Sequence, residues 1–385
     1  MQNPYYLKTP QHVTAGLGSI RCLADHVRQS GAVRVTLMTD PGILNSGTLD
    51  LALPHLEAAG AKVLVVGTIP PEPEDRQVLE IYRQVAEHDT QLLVAIGGGS
   101  VMDTTKMVAV LLRNPDYAAD LTDQSKIFHP GVPSIMVPTS AGTGSEATPN
   151  SIVVIPEKKL KVGVVHPFFL PTTVILDPQM TKSLPPAVTA ATGLDAFCHA
   201  IETFISKKGN PFCSLFALEG IRLVSANLRR VYHDGADLEA REQMLLAAFY
   251  GGVAISASST VAVHALSYPL GGSYRIAHGI SNAILLPLVM EYNMDAIPDK
   301  VLPIAAAMGI DTTDLSISEA GDAVVAAIYQ LCRDVGIPDS LVPFGISEQD
   351  IEFLTDSASE VRRLLDQNPK EMSKEDIRAI YRKLL

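Results

Sequence analysis

"LLVAIGGGSVMDTTKMVAVLL", residues 92–112, holds a strand, a turn and a helix in one unbroken stretch. Leu92 to Ile96 form the continuous apolar run expected of a strand buried on both faces. Gly97, Gly98 and Gly99 then allow the backbone to turn sharply and to approach a neighbour closely. An apolar helical period begins at Val101, with Ser100 read as its N-cap and Asp103 as the capping-box partner. Strand, glycine turn and helix N-terminus together are the building unit of a parallel α/β sheet. The exposed amides at such a turn can hold a pyrophosphate. A tight strand–helix turn with a capped helix and no ligand fits the same residues, and the stretch is not the Gly-x-Gly-x-x-Gly fingerprint.

Similar apolar runs recur outward from this unit. "RVTLMTD" (34–40), "KVLVVG" (62–67), "SIMVPTS" (134–140) and "TTVILDP" (172–178) read as further strands. Between them, "GILNSGTLDLALPHLEAAG" (42–60) and "PEDRQVLEIYRQVAEHD" (73–89) carry a helical period, and "SIVVIPEKKLKVGVV" (151–165) reads as a hairpin. Past Pro185 the strand patterns fade and long helical periods take over. The expected organisation is an α/β domain over 1–185 and an all-helical domain over 186–385. Two late helices open on Ser-x-x-Asp boxes, Ser347/Asp350 and Ser373/Asp376.

The chain has 385 residues, 47% of them hydrophobic and 19% charged, with a formal net charge of -12. That balance describes a packed globular protein and argues against nucleic acid or an anionic membrane as partner. The N-terminal "MQNPYYLKTPQHV" has no basic region followed by an apolar run, and the four cysteines are scattered without paired spacing. A reducing, cytoplasmic setting is therefore expected.

Two loops and one carboxylate extend the nucleotide reading. "PTSAGTGSEATPN" (138–150) follows a strand with small side chains that leave room for a bulky ligand. Asp40 ends another strand, where a carboxylate can accept hydrogen bonds from ribose and repel a 2′-phosphate; a turn-forming or helix-capping role fits it as well. Elsewhere "TGLDAFCHAIETFI" (192–205) sets Asp195 and His199 four apart, on one helical face. "VAVHALSYPLGGSYRIAHGISNAILLP" (261–287) adds His264 and His278 in an apolar, glycine-rich setting. One carboxylate and three imidazoles suit iron or zinc better than calcium or magnesium, although each histidine alone would fit a buried structural role.

Taken together, "GGGSVMDTTK", "PTSAGTGSEATPNSIV", "ILDPQMTKSLPP", "ATGLDAFCHAIE" and "HALSYPLGGSYRIAHGISNAILLP" resemble the iron-containing (group III) alcohol dehydrogenase family through essentially the whole chain. The resemblance implies an N-terminal α/β dinucleotide-binding domain and an all-α C-terminal domain, a fold shared with dehydroquinate synthase, with the active site between them. It implies Asp195, His199, His264 and His278 as ligands of Fe2+, with Zn2+ as the other candidate. Gly97, Gly98, Gly99, Ser100 and Asp103 match the pyrophosphate loop, and Thr139, Ser140 and Thr143 the second cofactor loop. Lys161 matches a lysine that reaches the nicotinamide ribose, and Asp40 a position that goes with NAD over NADP. His264, His278 and Tyr268 stand at the catalytic centre, where many relatives carry a histidine in place of Tyr268. Asn150, Ile255 and Leu364 match the substrate pocket. Glu72, in "IPPEPED", replaces an asparagine common in relatives.

The expected activity is NAD-dependent hydride transfer between nicotinamide and a small primary alcohol or aldehyde. Alternatives are a reductase of a small anionic aldehyde served by Arg362 or Arg363, and an enzyme of this fold acting on a phosphorylated substrate. The stretches around the four proposed ligands are mostly apolar, which argues against the phosphorylated class. Relatives imply a homodimer or larger homo-oligomer, to which "YYLKTPQHVTAGLG" (5–18) could lend an edge strand.

Overall fold

The strand runs fold as β1 (His12–Ala15), β2 (Arg34–Met38), β3 (Lys62–Val66), β4 (Leu92–Gly97), β5 (Ser134–Pro138), β6 (Asn150–Ile155), β7 (Leu160–Val165) and β8 (Thr173–Leu176). The structure is a computed structural model that describes residues 4–158 and 160–385. Six strands form one sheet in the order β1-β8-β5-β4-β2-β3, and every neighbouring pair is parallel. β4, β5 and β8 are buried along their whole length, which explains why their sequences are apolar without alternation. β6 and β7 pair antiparallel as the expected hairpin.

The chain divides into a sheet unit, residues 9–140 and 144–184, and a helical unit that starts at Pro185 and also takes in residues 4–8 and 141–143. These two short stretches are where the observed division departs from one cut near 185.

Two local expectations change. The segment 42–60 is not one helix: Gly47, at φ 74, breaks it into Pro41–Asn45, a 3-10 turn Thr48–Leu51, and Leu53–Ala58. The N-terminal segment supplies β1, which pairs with β8 and forms one edge of its own sheet. The second change concerns the glycine turn. With α1 (Asp75–Glu87) preceding it, the helix α2 (Gly99–Leu111) takes Gly98 as its N-cap and has no side-chain cap. Ser100 lies inside α2 and its Oγ accepts the Glu72 N–H at 3.1 Å.

Asp103 is engaged by one neighbour on its own helix and two groups from outside it. Its Oδ1 accepts from Ser145 Oγ and from Lys106 Nζ at 3.3 Å, and its Oδ2 accepts the Ile152 N–H at 3.1 Å. Lys106, 1% exposed, also donates to Thr148 Oγ1 at 3.2 Å and to the Asn150 carbonyl at 2.6 Å. This network fastens α2 to the loop after β5 and to the hairpin. Burial lowers the Lys106 pKa, against the pull of Asp103 and Glu146.

The helical unit begins with α3 (Pro186–Ile205), α4 (Pro211–His233), α5 (Leu238–Ala257), α6 (Ala262–Tyr274) and α7 (His278–Asn293). Proline at the first turn starts α3 and α4, and the Asn210 side chain caps α4 by accepting from the Phe212 and Cys213 amides. Both Ser-x-x-Asp capping boxes form, at Ser347/Asp350 and Ser373/Asp376. A side chain at Gly279 would meet the Ala191 carbonyl oxygen at 2.2 Å, so α7 starts directly against the α3 backbone. That approach brings His278 to the helix that carries Asp195.

Glu146, beside the Asp103–Lys106 network, is 1% exposed and its Oε1 has no hydrogen-bond partner. Burial raises its pKa to about 7 from an ordinary 4.5, opposed by its own backbone amide and by Lys106. The folded state therefore holds this proton where the unfolded chain has lost it, and stability falls as pH rises through that window. Glu146→Gln, a stand-in for the protonated acid, should raise the melting temperature by a few degrees at about pH 8 and leave it unchanged near about pH 4. Calorimetry at the two pH values checks this; equal melting temperatures at the higher one would refute it.

Candidate functional site

Asp195, His199, His264 and His278 each offer one ligand atom, and these atoms all lie within 4.8 Å of one another. Asp195 and His199 share a face of α3, His264 lies in the first turn of α6, and His278 opens α7. From Asp195 Oδ1 the Nε2 atoms of His199, His264 and His278 stand at 3.8, 3.9 and 3.6 Å, and the first two Nε2 atoms are 3.0 Å apart. Four ligands at about 2.1 Å from one ion would be spaced by about 3.4 Å in a tetrahedron. The observed separations bracket that value.

The outer nitrogens fix which way the rings face. His264 Nδ1 is hydrogen-bonded to the Glu202 carboxylate, and His199 Nδ1 lies 3.3 Å from the Gly142 carbonyl. Both partners are acceptors, so each Nδ1 carries the hydrogen and each Nε2 is left with its lone pair. Two such lone pairs facing at 3.0 Å repel unless a positive charge lies between them. Asp195 adds a buried carboxylate to the same point. Burial alone would raise its pKa, but the three imidazoles and the Asn282 amide outweigh that and hold it below the ordinary carboxylate range. Burial lowers His199, which keeps that ring neutral. At His264 burial also opposes charge, but Glu202 overcomes it and the pKa lies above the ordinary histidine value. The pocket favours a positive charge, and its donors fit a borderline divalent cation.

Two residues of this site escape a reading of the sequence by motif alone. Glu202, fully buried, uses Oε1 to accept the Val261, Val263 and His264 amides at 3.0, 2.8 and 3.3 Å, so it both caps the start of α6 and aims His264. Asn282 donates from Nδ2 to Asp195 Oδ1 at 2.8 Å, and that nitrogen lies 3.2 Å from Nε2 of both His264 and His278. Spacing was the available signal: Glu202 continues the 195–199 face at i+7, and Asn282 sits at i+4 from His278. His278 is the member of the cluster open to solvent, with its side chain 28% exposed against 4 to 7% for the other three. An open side is what a catalytic metal site requires.

Tyr268 lies one turn after His264, with its ring 6.5 Å from that of His278. Burial raises its pKa, and a hydrogen bond from Arg363 works in the other direction without reversing the shift. Of the proposed pocket residues in this unit, Ile255 is partly exposed near the end of α5, whereas Leu364 belongs to the buried helical core.

In the sheet unit, Thr139 and Ser140 stand beside the glycine turn. The Thr139 N–H donates to the Gly97 carbonyl at 3.0 Å, and a side chain at Gly98 would meet Ser140 Oγ at 3.3 Å. Thr143 falls instead in the stretch that clusters with the helical unit. Asp40 caps the helix after β2 through Oδ1, which accepts the Ile43 N–H at 3.0 Å. Lys161, on β7, pairs with Glu72 at 2.6 Å. Asn150, at the start of β6, is partly exposed, and its carbonyl is engaged by Lys106.

A model of iron-containing alcohol dehydrogenases matches residues 10–178, and one of the C-terminal region of the Fe-containing alcohol dehydrogenase family matches residues 189–385. Long-chain-alcohol dehydrogenase 1 of Geobacillus thermodenitrificans is 37% identical over 369 residues, covering 95% of this chain and 93% of the relative. The crystal structure of a 1,3-propanediol oxidoreductase superposes with a TM-score of 0.94 at 33% identity over the whole of both chains. A sulfoacetaldehyde reductase from Bifidobacterium kashiwanohense, solved in complex with NAD+, superposes at 0.90 with 28% identity, over 100% of this chain and 99% of that one.

Changing Glu202 to Gln keeps an acceptor for the three amides but turns a donor toward His264 Nδ1, which forces the hydrogen onto Nε2. Affinity for Fe2+ or Zn2+ should fall by about 10- to 100-fold while the helical signal in circular dichroism is retained. His278→Ala should abolish bound metal. Full metal occupancy in the His278→Ala protein, read by elemental analysis, would sink the assignment.

Proposed function

The chain belongs to the iron-containing alcohol dehydrogenase family, and from that premise we propose an NAD-dependent, divalent-metal alcohol dehydrogenase and aldehyde reductase, acting on a short, mostly uncharged primary alcohol or aldehyde. The observation that carries this reading is the pair of imidazole lone pairs facing each other at 3.0 Å beside the Asp195 carboxylate. Asp195, His199, His264 and His278 would hold the cation. The donor set fits iron or zinc, and the family favours iron.

The bound cation supplies Lewis acidity to an alcohol or carbonyl oxygen, and the nicotinamide supplies hydride chemistry. The chain's own groups do the rest. Glu202 and Gly142 fix the ring tautomers, and Asn282 orients the Asp195 carboxylate. The Tyr268 phenol retains its proton at neutral pH, so it offers a donor and not a base. The glycine turn at the start of α2 presents backbone amides suited to a pyrophosphate. The NAD+ complex of the sulfoacetaldehyde reductase supports the choice of cofactor. Asp40, with Oδ1 engaged in the cap, retains an anionic group that disfavours a 2′-phosphate.

A neutral substrate is supported by the ion pair of Arg362 with Asp366; Arg363 is held by a hydrogen bond to the uncharged Tyr268 phenol. All four cysteines are free thiols, in keeping with a reducing cytoplasm.

Activity is tested by NADH oxidation with aldehydes of matched chain length, neutral and anionic, before and after chelation and with iron or zinc restored. Neutral aldehydes should turn over faster, and chelation should abolish turnover. A tenfold advantage for an anionic aldehyde, erased in Arg363→Ala, would overturn the substrate class. A second measurement addresses the cofactor. The intact protein should show higher kcat/KM with NADH than with NADPH, and Asp40→Gly should narrow the gap; equal values in the unaltered protein would refute it.

A further inference from the structure

Glu72 stands in a conformation that its side chain does not favour. Its φ is 49°, in the left-handed region where glycine and asparagine are the usual residues. It is held there from both ends. Its N–H donates to Ser100 Oγ at 3.1 Å, beside the glycine turn, and its carboxylate accepts from Lys161 Nζ at 2.6 Å. The neighbouring residues strengthen the tie, because the Val154 N–H donates to the Pro73 carbonyl at 3.1 Å and Glu74 makes a bridge to Val154. The segment before α1 is thus a strap from the glycine turn to the hairpin, and Glu72 is the link that carries charge.

That charge has a consequence for an anionic ligand. Lys106, the cation on α2, is buried and committed to Asp103, Thr148 and Asn150. Lys161 is the more accessible cation at this end of the hairpin, its side chain 16% exposed, and the Glu72 carboxylate neutralises it. Among the described residues, a dinucleotide at the glycine turn then meets backbone amides while Lys106 and Lys161 are both engaged by protein carboxylates.

We infer that Glu72 is a specificity-determining residue that sets nucleotide affinity by sequestering Lys161. It keeps binding loose and weakly dependent on salt. This rests on the nucleotide reading above and adds a residue with a direction of effect. Glu72→Gln removes the charge at constant size, and Glu72→Asn removes it with a residue suited to the left-handed backbone. A second, Lys161→Met background separates the ion pair from the strap.

The experiment is titration of the metal-loaded, full-length protein with NADH by fluorescence at low and high salt, with thermal melts to establish folding. Both Glu72 variants should bind NADH about two- to fivefold more tightly at low salt, the scale of a partly exposed ion pair. Their binding should fall more steeply with salt than that of the unaltered protein, and Glu72→Gln should have no effect when Lys161 is Met. Unchanged or weaker NADH binding in both folded variants would overturn the inference while leaving the cofactor assignment intact. Failure of the unaltered protein to bind NADH at all would overturn both.

Discussion

A pair of imidazole nitrogens 3.0 Å apart, next to a carboxylate, is tolerable inside a helical core only with a proton or a metal cation between them. Much of the helical unit can be understood as keeping that arrangement in place. Glu202 is fully buried, a position that costs several kcal/mol for an uncompensated carboxylate, and three backbone amides with the His264 ring compensate it. The same amides belong to the start of α6, so the carboxylate that orients a ligand also caps the helix bearing it. Gly279 admits α7 onto the α3 backbone and sets His278 at the mouth of the cluster.

The sheet unit solves a related problem with different groups. Asp103, Lys106 and Glu146 lie in a body whose central strands β4, β5 and β8 are buried along their length, and all of them sit where α2, the loop after β5 and the hairpin meet. Asp103 and Lys106 satisfy each other and several neighbours. Glu146 has one oxygen unpartnered, and its burial raises its pKa. Polar groups here define how three segments join, a task that apolar contacts perform with less directionality.

The features legible in the sequence were those set by local periodicity or by residue type in an unexpected setting. Apolar runs marked β2, β3, β4, β5 and β8, and histidines within glycine-rich apolar stretches marked the metal cluster. β1 has mostly exposed side chains and no apolar run, so the sequence offered an edge strand somewhere in 5–18 without marking its bounds or its neighbour β8. Segment 42–60 kept a helical period through Gly47, whose left-handed φ ended the helix all the same. Ser100 and Asp103 had the spacing of a capping box, but Lys106 on the same helix competes for the carboxylate together with Ser145 and the Ile152 amide, two tertiary contacts that spacing does not encode. Glu202 and Asn282 were visible as positions and not as roles, since what each does depends on a partner 59 to 87 residues away.

The stretch 141–143 gives the fold an unusual pedigree for one of its metal-facing rings. His199 owes its tautomer to the carbonyl of Gly142, 57 residues upstream in the chain, in the loop that leaves β5. A side chain at Gly142 would meet Thr192 of α3 at 2.7 Å, so the loop must pass there bare. The two halves of the gene are therefore not interchangeable parts. A chimaera joined at Pro185 from two family members inherits its histidines from one parent and the carbonyl that orients one of them from the other. Recombination at that seam keeps the His199 ring in its orientation only if it also preserves the fit of a single glycine.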